Sequence, residues 1–107
     1  MPQVIEVTDE TFETEVTQAN IPVAADFYTQ FCPTCKRVTP IFEQLSDEYS
    51  GRVKFVKLDI AKASETARRL AVLSSPSIIV LKGSQEVDRV AGYADRAKLA
   101  RLIEAAL

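Results

Sequence analysis

An α/β fold with a mixed sheet follows from three features of this 107-residue chain. Apolar runs of strand length alternate with segments of helical spacing, in the order β-α-β-α-β-α-β-β-α. The run Pro22-Val-Ala-Ala-Asp-Phe-Tyr28 is almost wholly apolar, the pattern of a strand covered on both faces. The last two strands are joined by Lys82-Gly83-Ser84-Gln85, a hairpin turn, so an antiparallel pair closes a sheet otherwise built from parallel crossovers. The expected architecture is a central mixed five-stranded sheet flanked by four helices. One domain is expected over 1–107, because this length leaves little room for a second.

Each element has a local reason. Val4 to Val7 reads as a short strand. Thr8 is expected to cap a first helix, with Asp9 and Glu10 in its opening turn where the helix dipole favours anions. That helix runs to about Ala19, turning Phe12 and Val16 inward, and Asn20 and Pro22 end it. After the buried strand a second helix begins inside the segment Cys32–Cys35. Val38, Ile41, Phe42, Leu45 and Tyr49 keep helical spacing through Gly51, with Pro40 interrupting the hydrogen bonding. Val53 to Ile60 is a third strand, and Ser64 is expected to cap a short helix through Leu70. Ser77–Leu81 and Glu86–Ala91 form the hairpin. Asp95 caps a last helix with Leu99, Leu102, Ile103 and Ala106 on its apolar stripe. No repeat, linker or low-complexity segment interrupts this order.

Composition removes several function classes. Apolar residues make up 47% and charged residues 26%, the balance of an ordinary globular protein. A net charge of −2 without a basic run argues against nucleic-acid binding, which needs a cationic face. The start, MPQVIEVTDE, has neither the cationic beginning nor the apolar core of a signal peptide. The apolar runs fall far short of the roughly 20 residues that span a bilayer. A cytoplasmic location and no membrane partner are therefore expected.

Cysteine occurs twice, at Cys32 and Cys35, and histidine not at all. In a reducing compartment this spacing points to redox activity or metal binding rather than a permanent staple. With Cys32 as the residue entering the helix, Pro33 falls at the first helical position, where its missing N–H leaves no bond unmade. Cys32 then faces the free N–H groups and the positive end of the dipole, which favour thiolate, and Lys36 and Arg37 add positive potential. Cys35, one turn in, lies within disulfide reach and is shielded by its own helix. The pair is thus asymmetric, with Cys32 attacking and Cys35 resolving. Two other readings exist. The cysteines can be inert buried side chains, or half of a zinc site completed by a second subunit, since this chain has no further Cys and no His.

Asp26-Phe27, Cys32-x-x-Cys35-Lys36, Pro40, Lys57, Pro76 and Gly92, in this order and at these intervals, resemble thioredoxin from end to end. The resemblance implies the thioredoxin fold and a thiol–disulfide oxidoreductase of protein-disulfide reductase type, an electron carrier with no cofactor and no metal. It implies disulfide-containing protein substrates and recycling by a thioredoxin reductase-type enzyme; a monomer is expected. Asp26, the one charge in an apolar strand, can be a strand-end carboxylate in a polar corner or a desolvated carboxyl of raised pKa. By resemblance it takes the proton of Cys35, and Lys57, which otherwise merely snorkels to solvent, moderates its pKa. Sequence alone makes the bond before Pro76 trans, since only about 5–6% of such bonds are cis. The resemblance makes it cis and set against the cysteines. Ser75 then offers its backbone to an extended substrate segment, and Phe31, Pro33, Ser74, Ser75, Gly92 and Tyr93 line the groove. Gly92 can equally be a turn glycine at a strand end.

The chain also departs from that family. The usual Trp-Cys-Gly-Pro-Cys is Phe31-Cys32-Pro33-Thr34-Cys35 here, and there is no tryptophan. Tyr28 stands where a tryptophan is common, and Ser75 replaces the usual aliphatic. Pro33-Thr34 moves the proline to the first helical position and returns an N–H at Thr34, whose hydroxyl is a further donor. A hydrogen bond to a charged acceptor is worth about 1.5 kcal/mol, so this pair is expected to be modestly more oxidising than a Gly-Pro relative. The alternatives to a reductase are a more oxidising protein-disulfide oxidase or isomerase, and a non-catalytic binding module that uses the groove around Pro76.

Overall fold

The apolar run becomes β2 (Val23–Tyr28), the middle of five strands, in a computed structural model that describes residues 3–107. Residues 1 and 2 of the span expected for the domain lie outside the described residues. The other strands are β1 (Val4–Glu6), β3 (Lys54–Asp59), β4 (Ser77–Lys82) and β5 (Gln85–Ala91), in the spatial order β1-β3-β2-β4-β5. β3 pairs parallel with both β1 and β2, while β4 runs antiparallel to β2 and to β5. The mixed sheet is the expected one, and β2 has strand neighbours on both sides.

Alternation along the strands sends side chains to two apolar layers. Ala24, Phe55, Ile78 and Val80 meet helix α1 (Pro33–Glu48) and helix α3 (Arg96–Glu104) on one face. Val23, Ala25, Phe27, Val56, Leu58, Ile79 and Leu81 meet Phe12, Val16 and helix α2 (Ser64–Arg69) on the other. Burying each Val, Leu, Ile or Phe among them contributes about 1.5–3 kcal/mol, so the sheet is held from both sides. No helix among the described residues is long and apolar enough to cross a membrane.

Two expectations about helix starts are corrected. The first helical segment is a π-helical turn, Glu13–Thr17, and Thr8 is not its cap. Thr11 Oγ1 instead accepts the Thr8 N–H at 3.0 Å, and Gln18 N–H reaches back five residues to the Glu13 carbonyl at 3.0 Å. Phe12 and Val16 are buried as anticipated. Asp9, freed from that helix, caps α2: its Oδ1 accepts from Thr66 N at 2.8 Å and Thr66 Oγ1 at 2.6 Å. Its Oδ2 accepts from Glu65 N at 3.3 Å. Ser64 is therefore the first residue of α2 rather than its cap, and the position before it, Ala63, has no capping side chain. Asp95 does cap α3, accepting from Lys98 N at 2.9 Å.

Candidate active site

Cys32 and Cys35 stand where β2 hands the chain to α1. Cys32 is the N-cap of α1 in extended backbone (φ −128°, ψ 100°) and Pro33 opens the helix. A disulfide joins the two cysteines, with Cα atoms 5.2 Å apart. Cys32 Sγ accepts the Cys35 backbone N–H at 3.1 Å. The backbone donor on the sulfur is thus the third helical residue, not Thr34. Cys32 and Cys35 are 8% and 5% exposed, so what separates them is hydrogen bonding rather than exposure. One turn on, Thr39 Oγ1 donates to the Cys35 carbonyl at 2.9 Å, just before Pro40, whose ring nitrogen has no proton to give.

Asp26 lies on the α1 side of β2, beside Ala24, and is 5% exposed. Its Oδ1 is buried with no hydrogen-bond partner. Burial pushes its pKa up to about 7, against a smaller opposing pull from the Lys57 cation. Asp26 and Lys57 are register partners on β2 and β3. The Lys57 ammonium is 3.9 Å from Glu6 Oε1 and 5.9 Å from the centre of the Tyr28 ring, so it acts on Asp26 through space. Tyr28 donates its hydroxyl to both Glu6 oxygens at 3.0 Å. Its pKa is raised, first by burial and then by that bond. A cavity of about 70 Å³, lined by Asp26, Tyr28, Thr39 and Lys57 among others, adjoins the carboxyl. That is room enough for water.

The chain returns to the disulfide 40 residues later. The Ser75–Pro76 peptide is cis, as the resemblance implied and sequence alone did not. Ser75 Oγ lies 3.6 Å from Cys32 Sγ, and Thr29 Oγ1 lies 3.1 Å from Ser75 Oγ. The Ser74 carbonyl accepts from Ser77 Oγ at 2.7 Å. Gly92 follows β5 with φ +86° and donates its N–H to the Pro76 carbonyl at 2.8 Å. A Cβ there would touch nothing, so the residue is required by its backbone conformation, as a strand-end glycine that also adjoins Pro76. Tyr93 is half exposed beneath the Arg37 guanidinium, 4.4 Å from the ring centre. Phe31 is 96% exposed.

Several residues of this region escaped the sequence reading. Leu73, 94% exposed, gives a second free apolar side chain two residues before Ser75. Gln30 Nε2 donates to buried Asp59 at 2.8 Å, tying the loop after β2 to the end of β3. Arg89 pairs with Glu86 and donates to the Leu70 carbonyl at 2.6 Å and the Ala71 carbonyl at 3.2 Å. It thereby pins the loop that delivers Leu73 to Pro76. Only an acidic residue closing an apolar strand signalled Asp59; the Arg89–Glu86 pair is local, but the bonds from Gln30 to Asp59 and from Arg89 to the Leu70 and Ala71 carbonyls are long-range and leave no local mark.

The thioredoxin family model matches residues 3–105. The chain belongs to the thioredoxin family. It is 37% identical over 101 residues to thioredoxin C-2 of Corynebacterium nephridii, covering 94% of each chain. It is 39% identical over 97 residues to a thioredoxin of Mycobacterium tuberculosis, covering 91% of this chain and 84% of the relative. A bifunctional thioredoxin reductase/thioredoxin of Mycobacterium leprae is 38% identical over 97 residues, 91% of this chain and 21% of that protein. With a redox disulfide at its helix entrance, this member of the family is a thiol–disulfide oxidoreductase of protein-disulfide reductase type.

Proposed function

We propose that the chain, as one thioredoxin-like domain and a monomer, reduces disulfides of cytoplasmic protein substrates through Cys32. The observation that carries this reading is the bond from Cys35 N to the Cys32 sulfur at the N-terminus of α1, which favours negative charge on that sulfur. Cys32 thiolate attacks a substrate disulfide, forming a mixed disulfide and releasing one substrate thiolate. Cys35 then attacks Cys32 Sγ, the second substrate thiolate leaves, and the Cys32–Cys35 disulfide forms. Asp26 accepts the Cys35 proton through water in the adjoining cavity, and Lys57 limits how far burial raises its pKa. Phe31, Pro33, Ser74, Ser75, Pro76, Gly92 and Tyr93 form the surface that receives an extended substrate segment. A thioredoxin reductase-type enzyme returns electrons to the disulfide; the reductase joined to thioredoxin in the Mycobacterium leprae relative supports such a partner.

The test is a trap. Cys35→Ser should accumulate a mixed disulfide with a disulfide-containing protein substrate, whereas Cys32→Ser should form none. A trapped adduct on Cys35 in the Cys32→Ser protein, or reductase turnover by that protein, would refute the assignment.

A second reading, net disulfide formation or isomerisation, is favoured by one observation. Two donors, Cys35 N and Ser75 Oγ, reach the Cys32 sulfur, and stabilising the reduced form makes a disulfide more oxidising. The equilibrium potential against glutathione buffers separates the two: well below the cytosolic glutathione poise supports reduction, at or above it supports oxidation.

A further inference from the structure

Beside Cys32 lies a second polar system that the sequence motif does not include. Ser75 Oγ lies 3.6 Å from Cys32 Sγ, and Thr29 Oγ1 lies 3.1 Å from Ser75 Oγ. All three are brought together by the fold: Thr29 follows β2, Ser75 precedes the cis proline, and 46 positions separate them in sequence. Both hydroxyl groups are partly buried.

We infer that Thr29 and Ser75 form a two-hydroxyl relay that donates a hydrogen bond to Cys32 Sγ and holds that sulfur as a thiolate. The inference rests on the reading of Cys32 as the attacking cysteine. A serine hydroxyl has one proton to give and two lone pairs to receive with. Directed at sulfur, the Ser75 proton leaves its oxygen free to accept from Thr29, and each bond polarises the next. Sulfur is a weak acceptor as a thiol or disulfide and a strong one as a thiolate, so the relay acts mostly on the charged form. Cys35 N supplies the other donor, 3.1 Å from the same sulfur. Ser75 thus touches the reacting atom through its side chain, apart from any backbone contact with substrate, and Thr29 is a positioning residue behind it.

The relay matters again when a mixed disulfide is broken from outside. A thiolate of the reductant attacks the partner's sulfur, a new disulfide forms there, and the electron pair of the broken bond stays on Cys32. Ser75 stabilises that leaving thiolate without changing its own protonation.

A hydrogen bond to a charged group, worth about 1.5 kcal/mol, corresponds to roughly tenfold in the ionisation constant. Ser75→Ala should therefore lower the thiolate fraction at a fixed pH below the thiol pKa about tenfold, and Ser75→Thr, which keeps a hydroxyl, should restore it. The same tenfold change in the exchange equilibrium with glutathione is about 30 mV toward a stronger reductant. Thr29→Val should shift the profile the same way by a smaller factor, and should add nothing on top of Ser75→Ala.

The experiment is the pH dependence of iodoacetamide alkylation of the reduced protein, with mass spectrometry to identify the cysteine that reacts first. Reaction at Cys32, with a profile displaced in Ser75→Ala and restored in Ser75→Thr, supports the relay. Reaction at Cys32 with superimposed profiles, or Ser75→Thr behaving like Ser75→Ala, overturns the relay alone. Reaction first at Cys35 overturns the attacking-cysteine reading and the relay with it. Thr29→Val probes the relay from its far end, so an unfolded Ser75→Ala protein does not remove the test.

Discussion

Replacing Asp26 with asparagine should make the oxidised protein more stable relative to the parent as pH rises, and the size of the gain can be worked out from the site. The carboxyl is 5% exposed with Oδ1 unpartnered, and its folded pKa is about 7 against an ordinary 3.8. Between those two values the folded state holds a proton that the unfolded chain has released. Stability therefore falls as pH rises through this window, by about 1.4 kcal/mol per pH unit, and is level above the folded pKa. From pH 4.5 to pH 8 the parent loses about 3 kcal/mol that Asp26→Asn does not lose. Any fixed cost of burying the amide is the same at both pH values and drops out of the comparison. Urea unfolding of both oxidised proteins at several pH values is the assay. With a slope of about 1–3 kcal/mol per M for a small domain, the difference in midpoint should move by about 1 M or more between pH 4.5 and pH 8. Parallel pH profiles for the two proteins would refute the reasoning, because they would mean that Asp26 titrates alike folded and unfolded.

Two further outcomes follow from capping geometry. The double replacement Pro33→Gly, Thr34→Pro removes the Thr34 N–H from the positive end of α1 but leaves the Cys35 donor in place, so any move of the Cys32–Cys35 pair should be small and toward a more reducing potential. The shift should be about 30 mV or less, since the N–H bonded to the sulfur is that of Cys35; equilibration with glutathione measures it, and a more oxidising pair would count against the argument. Asp9→Ala should speed amide exchange at Glu65 and Thr66 and lower the thermal midpoint, because α2 has no other capping side chain at its start. The Asp9 pKa is depressed, chiefly by its bond from the Thr66 hydroxyl. This contribution is present above the ordinary carboxylate pKa and fades as pH falls through the lowered folded value.

What could be read from sequence was whatever depends on neighbours along the chain. The run from Pro22 to Tyr28 reads as a doubly covered strand, because its apolar residues fall on both faces and its length is that of a strand rather than a helix. Cys32 could be placed at the N-cap because proline directly after it is compatible with the first helical position. Asp9 shows the limit. Its position fits the opening turn of its own helix, yet its carboxylate is taken by backbone groups 56 and 57 residues away. The Ser75 hydroxyl was equally hidden: serine before proline shows nothing locally, and its sulfur contact exists only once the β4 entrance is laid against the end of β2. The cis bond at Pro76 came from family resemblance and not from local chemistry, which favours trans.

The absence of histidine shapes how the proposed roles divide. An imidazole would both exchange a proton near neutral pH and carry the resulting charge. On the proposed roles those tasks fall to different groups. Asp26, buried to a pKa of about 7, can gain and lose a proton in the working range, and it lies beside the cavity bordered by Thr39, whose hydroxyl bonds the Cys35 carbonyl. Ser75 and Thr29 cannot ionise there, so they stabilise charge on Cys32 without exchanging a proton. A group that titrates imposes a pH dependence on its step, whereas a group that only donates a hydrogen bond moves the thiol's own ionisation. Resolution by Cys35 should accordingly follow the Asp26 carboxyl near pH 7, while attack by Cys32 follows its own thiol. On the proposed roles the two steps are tuned separately, attack through the hydroxyl beside the Cys32 sulfur and resolution through the Asp26 carboxyl.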